Sequence, residues 1–276
     1  MTFEWRQDWN PNVRPIEENF RTEDGHRVDG SQCVFPIVRL LPTGDFRPVG
    51  TGFFIANNGL FATARHVLYD TSDDPTPSLQ GLQIMPDGSP YLRDIIDVSA
   101  HDRADVAIGF LRDHRLLETG APTVNQHFVL TSREPNVGQS VISIAFPADV
   151  SGSGTKEDPT QLRFYCKFIH GTVEEFWATQ RDGVMLRSRC FQTSMVIPPA
   201  ASGGPVAFSN LAIFGINSSG FDPQPVGFLS SVRDLFGLEI TNVDSSTGMT
   251  ERLSVKQLIE RGYVRCTDQP PLDSTG

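Results

Sequence analysis

Short apolar segments separated by glycine, proline and aspartate recur along this 276-residue chain. Such segments are typical of strands, and long helical periods are rare, so the pattern predicts an all-β protein. The first group of predicted strands comprises Val34–Leu41, Gly52–Ile55, Leu60–Thr63, Gly81–Met85, Asp94–Val98 and Val106–Leu111. The second group comprises Ser140–Ala145, Phe164–Ile169, Thr172–Trp177, Val184–Arg187, Pro205–Phe208 and Leu211–Asn217. Two groups of this size indicate two small β-barrels.

A polar stretch separates the two groups of strands, so we expect the barrels to meet near residues 126–136. The predicted domains are an N-terminal extension (1–32), the first β-barrel (33–125), the linker with the second β-barrel (126–243) and a C-terminal extension (244–276).

Helix signals are confined to the last third of the chain. Ser254 and Gln257 form a capping-box pattern ahead of an apolar stripe, which predicts a short helix in the C-terminal extension. A second short helix is expected from Val232 to Phe236, because Gly237 follows it.

Composition excludes several classes of protein. Hydrophobic residues make up 38% and charged residues 20% of the chain, as in ordinary soluble globular proteins. The net charge of -10 comes without a local cluster of lysine and arginine, which argues against a nucleic-acid partner. No apolar run approaches the roughly 18 residues of a membrane span. The N-terminus also lacks a secretory signal, so no membrane partner and a cytoplasmic location are expected.

Cysteine spacing points away from a metal site. Cys33, Cys166, Cys190 and Cys266 include no CxxC pair. In a reducing compartment such cysteines are expected to be free thiols. We therefore expect no metal and no cofactor.

The first motif with chemical potential is a histidine at the end of a predicted β-hairpin. A turn at Asn57–Gly59 leads into the segment Phe61–Leu68, where small and apolar residues surround His66. A serine hydroxyl becomes a nucleophile only when a neutral imidazole lies within hydrogen-bond reach. His66 is therefore the candidate general base.

An aspartate opens the apolar strand that follows. Asp105 stands in the segment Ala104–Ile108, and a carboxylate buried at the mouth of a strand can orient an imidazole. Asp102 and His101 are rival candidates, but they fall in a polar loop where we expect them to be solvated. Asp105 is therefore the predicted orienting acid.

The third motif, Ala200–Pro205, places two glycines directly after Ser202. Glycines let the backbone pack closely and leave room for a substrate carbonyl. We expect Ser202 to be the nucleophile and the backbone N–H groups of Ala200 and Ser202 to bind the developing oxyanion. The order His66, Asp105, Ser202 across two barrels is more specific than any single motif.

In this order, the motifs resemble those of trypsin-like serine peptidases and are most similar to the protease domain of HtrA (Deg) proteases. Further anchors are Gly50–Phe53, Val137–Val141, His170–Val173, Phe191–Ser194 and Phe214–Asn217. The resemblance implies two six-stranded antiparallel β-barrels of the chymotrypsin type with the active site in the cleft between them. It also implies a serine endopeptidase that cleaves a protein or peptide substrate through a His66–Asp105–Ser202 triad and an acyl-enzyme intermediate.

This chain departs from the family pattern beside the serine. The family usually has Gly-Asn where Ala200 and Ala201 stand, and Gly where Ala145 stands. If the peptide at Ala200 has to adopt positive φ, its Cβ costs about 1–2 kcal/mol. We therefore expect the catalytic conformation to be a minor state that substrate binding favours. Ala201 also lacks the carboxylate that trypsin-type zymogens use for activation.

The tail after the barrels is too short for the PDZ domain of many HtrA proteins, so we expect regulation to come from elsewhere, including a regulatory partner protein. The pocket for the residue before the scissile bond is expected to be lined by Met195, Val196, Ile197, Ile216, Asn217 and Ser218. None of these is charged, which favours a small or medium apolar residue at that position.

Three other readings compete. A catalytically weak or inactive protease-fold module would bind a peptide or partner protein, and Ala200 is its main support. An esterase of the α/β-hydrolase type is disfavoured because the chain lacks a GxSxG motif and would need the order Ser, Asp, His. A cysteine peptidase is excluded because position 202 is serine.

Overall fold

The computed structural model describes residues 3–5, 30–42, 46–69, 75–84, 90–112, 125–151, 161–164, 166–220, 225–243 and 250–268. Its strands are β1 (Phe3–Trp5), β2 (Val34–Leu40), β3 (Phe46–Phe54), β4 (Leu60–Thr63), β5 (Leu79–Ile84), β6 (Pro90–Ala100), β7 (Ala107–Leu111), β8 (Val129–Leu130), β9 (Ser140–Ala145), β10 (Ala148–Ser151), β11 (Gln161–Phe164), β12 (Lys167–Trp177), β13 (Cys190–Thr193), β14 (Pro205–Ala207), β15 (Ala212–Gly220), β16 (Gly227–Ser231), β17 (Glu239–Val243) and β18 (Thr250–Ser254). Its helices are α1 (Gly30–Cys33), α2 (Arg65–Leu68), α3 (Val255–Glu260) and a 3-10 helix at Val232–Leu235.

The first barrel is closed by six antiparallel strands in the order β2-β3-β4-β7-β6-β5. Aromatic side chains fill its interior. The Phe35 ring lies 4.9 Å from that of Phe54 and meets Phe61 edge-on at 5.2 Å, measured between ring centroids. All three side chains are fully buried. Buried rings in such tilted and edge-on contacts dominate the packing energy of a core, so this barrel is a firm support for the loops at its ends.

The second barrel is also closed by six antiparallel strands. Its order is β9-β12-β13-β16-β15-β14, and β14 completes the circle by pairing with both β15 and β9. The rings of Phe191 and Phe208 pack against Phe214 in its core, with centroids 5.6 and 4.6 Å away. The predicted fold of two six-stranded antiparallel β-barrels of the chymotrypsin type is confirmed.

Strands outside the two barrels were not predicted. The short β8 pairs in parallel with β15. Strand β1 pairs in parallel with β11, which is antiparallel to β10, and β17 forms a hairpin with β18. These elements pair with the barrels or with one another at the periphery.

The predicted strand at Val184–Arg187 was wrong. This segment is a loop wrapped around the Asp182 carboxylate, which accepts the amides of Val184 and Met185, each at 2.9 Å. The side chain of Val184 is 83% exposed, so its apolar character does not indicate burial in a sheet. Four of the six strands of this barrel were predicted, and two, β13 and β16, were missed. The two predicted strands Phe164–Ile169 and Thr172–Trp177 contribute one continuous strand, β12.

Both predicted helices are present. Ser254 Oγ accepts the amide of Gln257 at 3.2 Å, and Gln257 Oε1 accepts the amide of Ser254 at 2.9 Å, so the capping box forms at the start of α3. The other helix is a single 3-10 turn that ends before Gly237. The four cysteines are free thiols, as predicted. No helix in the described part of the chain is long and apolar enough to span a bilayer.

Candidate active site

The pairing of β4 with β7 brings His66 and Asp105 together at one end of the first barrel. Thr63, the last residue of β4, is paired with Ala107, the first residue of β7. His66 follows three residues after Thr63, in α2, and Asp105 stands two residues before Ala107. Two side chains that are 39 positions apart in the sequence thus become neighbours.

His66 and Asp105 form a closely bonded pair. The imidazole Nδ1 lies 2.9 Å from Asp105 Oδ2 and 3.1 Å from Oδ1. The backbone amide of His66 donates to Oδ1 at 3.0 Å, and the hydroxyl of Ser218 donates a short hydrogen bond to Oδ2. Asp105 is 7% exposed and His66 is 37% exposed. Both carboxylate oxygens are therefore occupied, and the other imidazole nitrogen, Nε2, is left for a substrate or a nucleophile.

Charge and burial act on this pair in opposite directions. Burial lowers the pKa of His66, whereas the charge of Asp105 and its hydrogen bond raise it. Together these two effects outweigh burial, so the pKa of His66 lies above its ordinary value of 6.5. Burial alone raises the pKa of Asp105. The charge of His66 and the hydrogen bonds from His66 and Ser218 outweigh burial and hold that pKa below 3.8. The pair is thus built to stabilise an imidazolium beside a carboxylate.

The rival residues lie in the loop that precedes Asp105. His101 Nδ1 accepts the amides of Arg103 at 3.1 Å and Ala104 at 2.9 Å, so this ring shapes the turn that presents Asp105. The carboxylate of Asp102 is 84% exposed. Among the described residues, neither side chain forms a hydrogen bond with the His66 ring, and the structure brings Asp105 to it instead.

The loop that carries Ser202 is anchored to both barrels. From the first barrel, Thr51 donates its amide to the carbonyl of Ser202 at 2.8 Å and its hydroxyl to the carbonyl of Ala200 at 2.9 Å. From the second barrel, Asn217 donates its side-chain amide to the carbonyl of Ala201 at 3.2 Å, and its own carbonyl accepts the amide of Gly203 at 2.8 Å. The loop conformation is therefore fixed on both sides of the cleft.

Gly203 is required by this anchoring. Its φ is +87°, and a Cβ there would collide with the hydroxyl of Thr63 and the carbonyl of Thr51. Only glycine satisfies both conditions. The first of the two glycines after the serine thus lets the loop sit directly on the first barrel.

Ala200 adopts a left-handed conformation, at the position where the family usually has glycine. Its φ is +63°, at a cost of about 1–2 kcal/mol for a residue with a Cβ. The hydroxyl of Thr51 donates to the Ala200 carbonyl and supports this conformation. That the catalytic conformation is a minor state stays a prediction.

Two amides of the loop remain available for an oxyanion. The amide of Ala201 donates to the carbonyl of Pro198, and that of Gly203 donates to Asn217. Among the described residues, no acceptor is bonded to the amides of Ala200 or Ser202. The backbone thus leaves free the two N–H groups that the sequence predicts as the oxyanion hole.

The Ser202 hydroxyl is engaged elsewhere. It donates to the carbonyl of Ser218 at 3.2 Å. None of the hydrogen bonds among the described residues joins Ser202 to His66. Ser218 therefore contacts two of the three candidate catalytic residues, through its hydroxyl and its carbonyl. Its neighbour Asn217 supports the loop, whereas the sequence predicts both residues only as part of the substrate pocket.

The other predicted pocket residues differ in exposure. Val196 is exposed, whereas the side chains of Met195, Ile197 and Ile216 are buried in apolar clusters. A substrate pocket at these residues stays a prediction. In the described part of the chain, no group of three or more histidine, cysteine, aspartate or glutamate residues is placed to hold a metal ion.

Comparisons with known proteins agree with this geometry. A family model described as a trypsin-like peptidase domain matches residues 50–216. No curated protein gives a significant match. The protease domain of MamO from Magnetospirillum magneticum has a TM-score of 0.51 at 16% identity, over 74% of this chain and 93% of that one. The HtrA-type protease AlgW, solved with a tripeptide, has a TM-score of 0.50 at 16% identity, over 74% of this chain and 57% of AlgW.

At such low identity the solved structures show only a shared fold, that of these two proteases. The family model is the stronger finding, because it spans more than half of the 276 residues and includes all three candidate catalytic positions. The chain belongs to the trypsin-like peptidase family.

Proposed function

We propose that this protein is a serine endopeptidase in which Ser202 is the nucleophile, His66 the general base and Asp105 the residue that orients the base. The observation that carries the proposal is the His66–Asp105 pair, in which Nδ1 lies 2.9 Å from a carboxylate that is itself held by Ser218 and by a backbone amide. A surface histidine needs no such support. A general base does, because its tautomer and ring orientation decide whether Nε2 can accept a proton.

In the proposed acylation step, Ser202 Oγ attacks the carbonyl carbon of the scissile peptide bond and its proton passes to His66 Nε2. The carbonyl π electrons move to oxygen, where the amides of Ala200 and Ser202 stabilise the negative charge. When the tetrahedral intermediate collapses, the C–N bond breaks and His66 gives the proton to the departing amine. Asp105 stays ionised and stabilises the imidazolium in between.

Deacylation repeats the sequence with water. His66 takes a proton from a water molecule, whose oxygen attacks the acyl carbon, and the ester bond to Ser202 then breaks. The proton returns to Ser202 Oγ. The products are a carboxylic acid and a regenerated hydroxyl, so the cycle needs no cofactor.

The resting hydroxyl of Ser202 has to change its partner before attack. Ser202 Oγ donates to the Ser218 carbonyl, and it has to turn toward His66 before attack. Catalytic hydrogen bonds are often absent or long before substrate binds. The backbone on which the hydroxyl turns is already fixed by Thr51 and Asn217, so the change is local.

Reaction with a fluorophosphonate probe tests the proposal. The probe reacts with an activated serine, so the wild-type protein should become labelled at Ser202, as mass spectrometry of peptides would show. Labelling should vanish in Ser202→Ala. Ser209→Ala is the matched control, because Ser209 is an exposed serine in the turn after β14 and its loss should leave labelling unchanged.

The competing function is a catalytically weak or inactive module that binds a peptide or a partner protein. The Ser202 hydroxyl favours it, because this group is bonded to Ser218 and not to His66. An unlabelled wild-type protein that still binds peptides would support the module and contradict the peptidase. Labelling of Ser202→Ala at the wild-type rate would also contradict the peptidase, since another residue would then carry the reactivity.

A further inference from the structure

A second feature of the cleft is a polar cavity of about 250 Å³ on the first barrel, directly beside His66. It is lined by Arg39, Arg47, Pro48, Val49, His66 and Val67. None of these lining residues is acidic. Two guanidinium groups therefore share a small space with the candidate catalytic base.

The cavity adjoins the nucleophile loop through strand β3. Thr51 donates its amide to the carbonyl of Ser202 at 2.8 Å. A Cβ built on Gly50 would lie 2.9 Å from that carbonyl and 2.5 Å from the Val67 side chain. Because Val49 and Val67 belong to the wall of the cavity, a substrate residue next to the scissile bond lies within reach of it.

The register of the sheet places the two arginines of the cavity side by side. Arg39 of β2 is paired directly with Arg47 of β3. Like charges opposite each other on antiparallel strands repel. Arg47 is exposed, and among the described residues it makes no hydrogen bond or ion pair. The cavity therefore presents the Arg47 guanidinium to a ligand, in a chain whose net charge is -10.

We infer that this cavity is a subsite for an acidic side chain of the substrate, aspartate or glutamate, on the leaving-group side of the scissile bond. Guanidinium groups bind carboxylates through paired, charge-assisted hydrogen bonds. The residues predicted for the acyl side all lie on the second barrel, whereas this cavity lies wholly on the first. The inference deepens the proposed peptidase function and rests on it.

Another arginine-lined cavity, of about 110 Å³, lies on the Asp105 side of His66. Two of its arginines are already hydrogen-bonded to backbone carbonyls. Arg103 donates to the carbonyl of Arg187 at 3.2 Å, and Arg187 donates to the carbonyl of Asp102 at 3.0 Å. These bonds tie the loop before Asp105 to the loop around Val184. The cavity at Arg47 is the better acidic subsite, because the Arg47 guanidinium is not used in this way.

Peptide binding to the Ser202→Ala protein tests the subsite without turnover. The probes are fluorescein-labelled, alanine-rich hexapeptides in which one position is Glu, Gln or Lys, scanned along the peptide. At the favoured position we expect Glu to bind roughly fivefold more tightly than Gln, the upper range for an exposed ion pair, and Lys to bind more weakly than Gln. Arg47→Gln should remove the preference and Arg47→Glu should reverse it. Arg112→Gln is the matched control, because this exposed arginine lies just after β7, at the end of that strand away from Asp105.

Cleavage of the same peptides by wild-type protein assigns the side. Glu should raise kcat/KM when it follows the scissile bond, and mass spectrometry of the fragments identifies that bond. A preference for Glu before the scissile bond, equal binding of Glu and Gln, or an unchanged preference in Arg47→Gln would each overturn the inference. Its failure is separable from that of the proposed function. A Glu preference lost in Arg47→Gln without any cleavage supports an acidic-peptide subsite in a protein that is not a peptidase, whereas cleavage with no Glu preference leaves the peptidase standing and removes the subsite.

Discussion

The two halves of the candidate active site differ in how completely they are assembled. On the first barrel, the imidazole of His66 is bonded to Asp105, and both oxygens of that carboxylate have partners. On the second barrel, the backbone around Ser202 is held firmly, but its hydroxyl is bonded to the carbonyl of Ser218. The proposed base is therefore bonded to its orienting acid, whereas the proposed nucleophile is not bonded to the base.

The difference follows from what each group requires in a folded protein. A buried carboxylate is costly unless it is paired and hydrogen-bonded, so Asp105 needs its partners in every state of the protein. A serine hydroxyl needs only one acceptor and turns about a single bond. It can rest on the nearest carbonyl and exchange that partner when substrate arrives. The rigid half of the site thus carries the charge, and the adjustable half carries the nucleophile.

Removing the charge from the rigid half should have the largest effect. In Asp105→Asn we expect kcat to fall about 10⁴-fold, because the neutral amide no longer stabilises the imidazolium and allows the wrong tautomer of His66. The measurement is peptide hydrolysis together with the rate of fluorophosphonate labelling. Folding should persist, since Asn has the same shape as Asp.

Asp102→Asn is the control for that substitution. Asp102 is three residues away in the same loop, and its carboxylate is 84% exposed. The activity of the Asp102→Asn protein should therefore stay within about twofold of wild type, as for most surface changes. If the two variants lost activity equally, Asp105 would have no special role and the assignment of the orienting acid would be wrong.

Local sequence predicted candidate residues in both halves of the site but not the contacts between the two barrels. His66 and Asp105 were predicted from short motifs at the ends of adjacent strands, and the register of β4 with β7 then brings them together. The support from Ser218 was missed. It lies 113 positions from Asp105, and no local pattern in the sequence reports a contact across two barrels.

Disrupting the backbone of the adjustable half should have a smaller effect. Thr51→Val removes the hydroxyl that donates to the Ala200 carbonyl at 2.9 Å. The same hydroxyl also accepts the amide of Phe146, so that bond is lost as well. The left-handed conformation of Ala200 then loses its support, and we expect kcat/KM to fall about tenfold, the equivalent of roughly one to two hydrogen bonds. Thr51→Ser keeps the hydroxyl and should retain most of the activity. Equal losses in the two variants would contradict this role of the hydrogen bond, because Thr51→Ser retains it.

The errors in the predicted strands have a similar origin. Val184–Arg187 has an apolar start, but the side chain of Asp182 captures its amides and prevents their use in a sheet. The missed strand β16, Gly227–Ser231, has every residue buried and no alternation. Its burial comes from its place between β13 and β15 in a closed barrel, and that is a property of the assembled sheet.

The smallest expected effect is a shift in the midpoint of the acid limb of kcat/KM against pH. This midpoint reports on the His66–Asp105 pair alone. Asp105 raises the pKa of His66 above 6.5, and hydrolysis requires the neutral imidazole, so kcat/KM should rise with pH through a midpoint above 6.5. Asp105→Asn removes the groups that raise this pKa and leaves burial, so its residual activity should show a midpoint below 6.5. Thr51→Val should keep the wild-type midpoint.

The free energy of unfolding should depend on pH in the opposite direction to activity, because a raised pKa means that protonated His66 stabilises the folded protein. In Ser202→Ala, that contribution should be complete below pH 6.5 and lost as pH rises through the raised pKa, as denaturant unfolding across this range would show. A wild-type midpoint at or below 6.5 would contradict the pairing of His66 with an ionised Asp105 in the working enzyme.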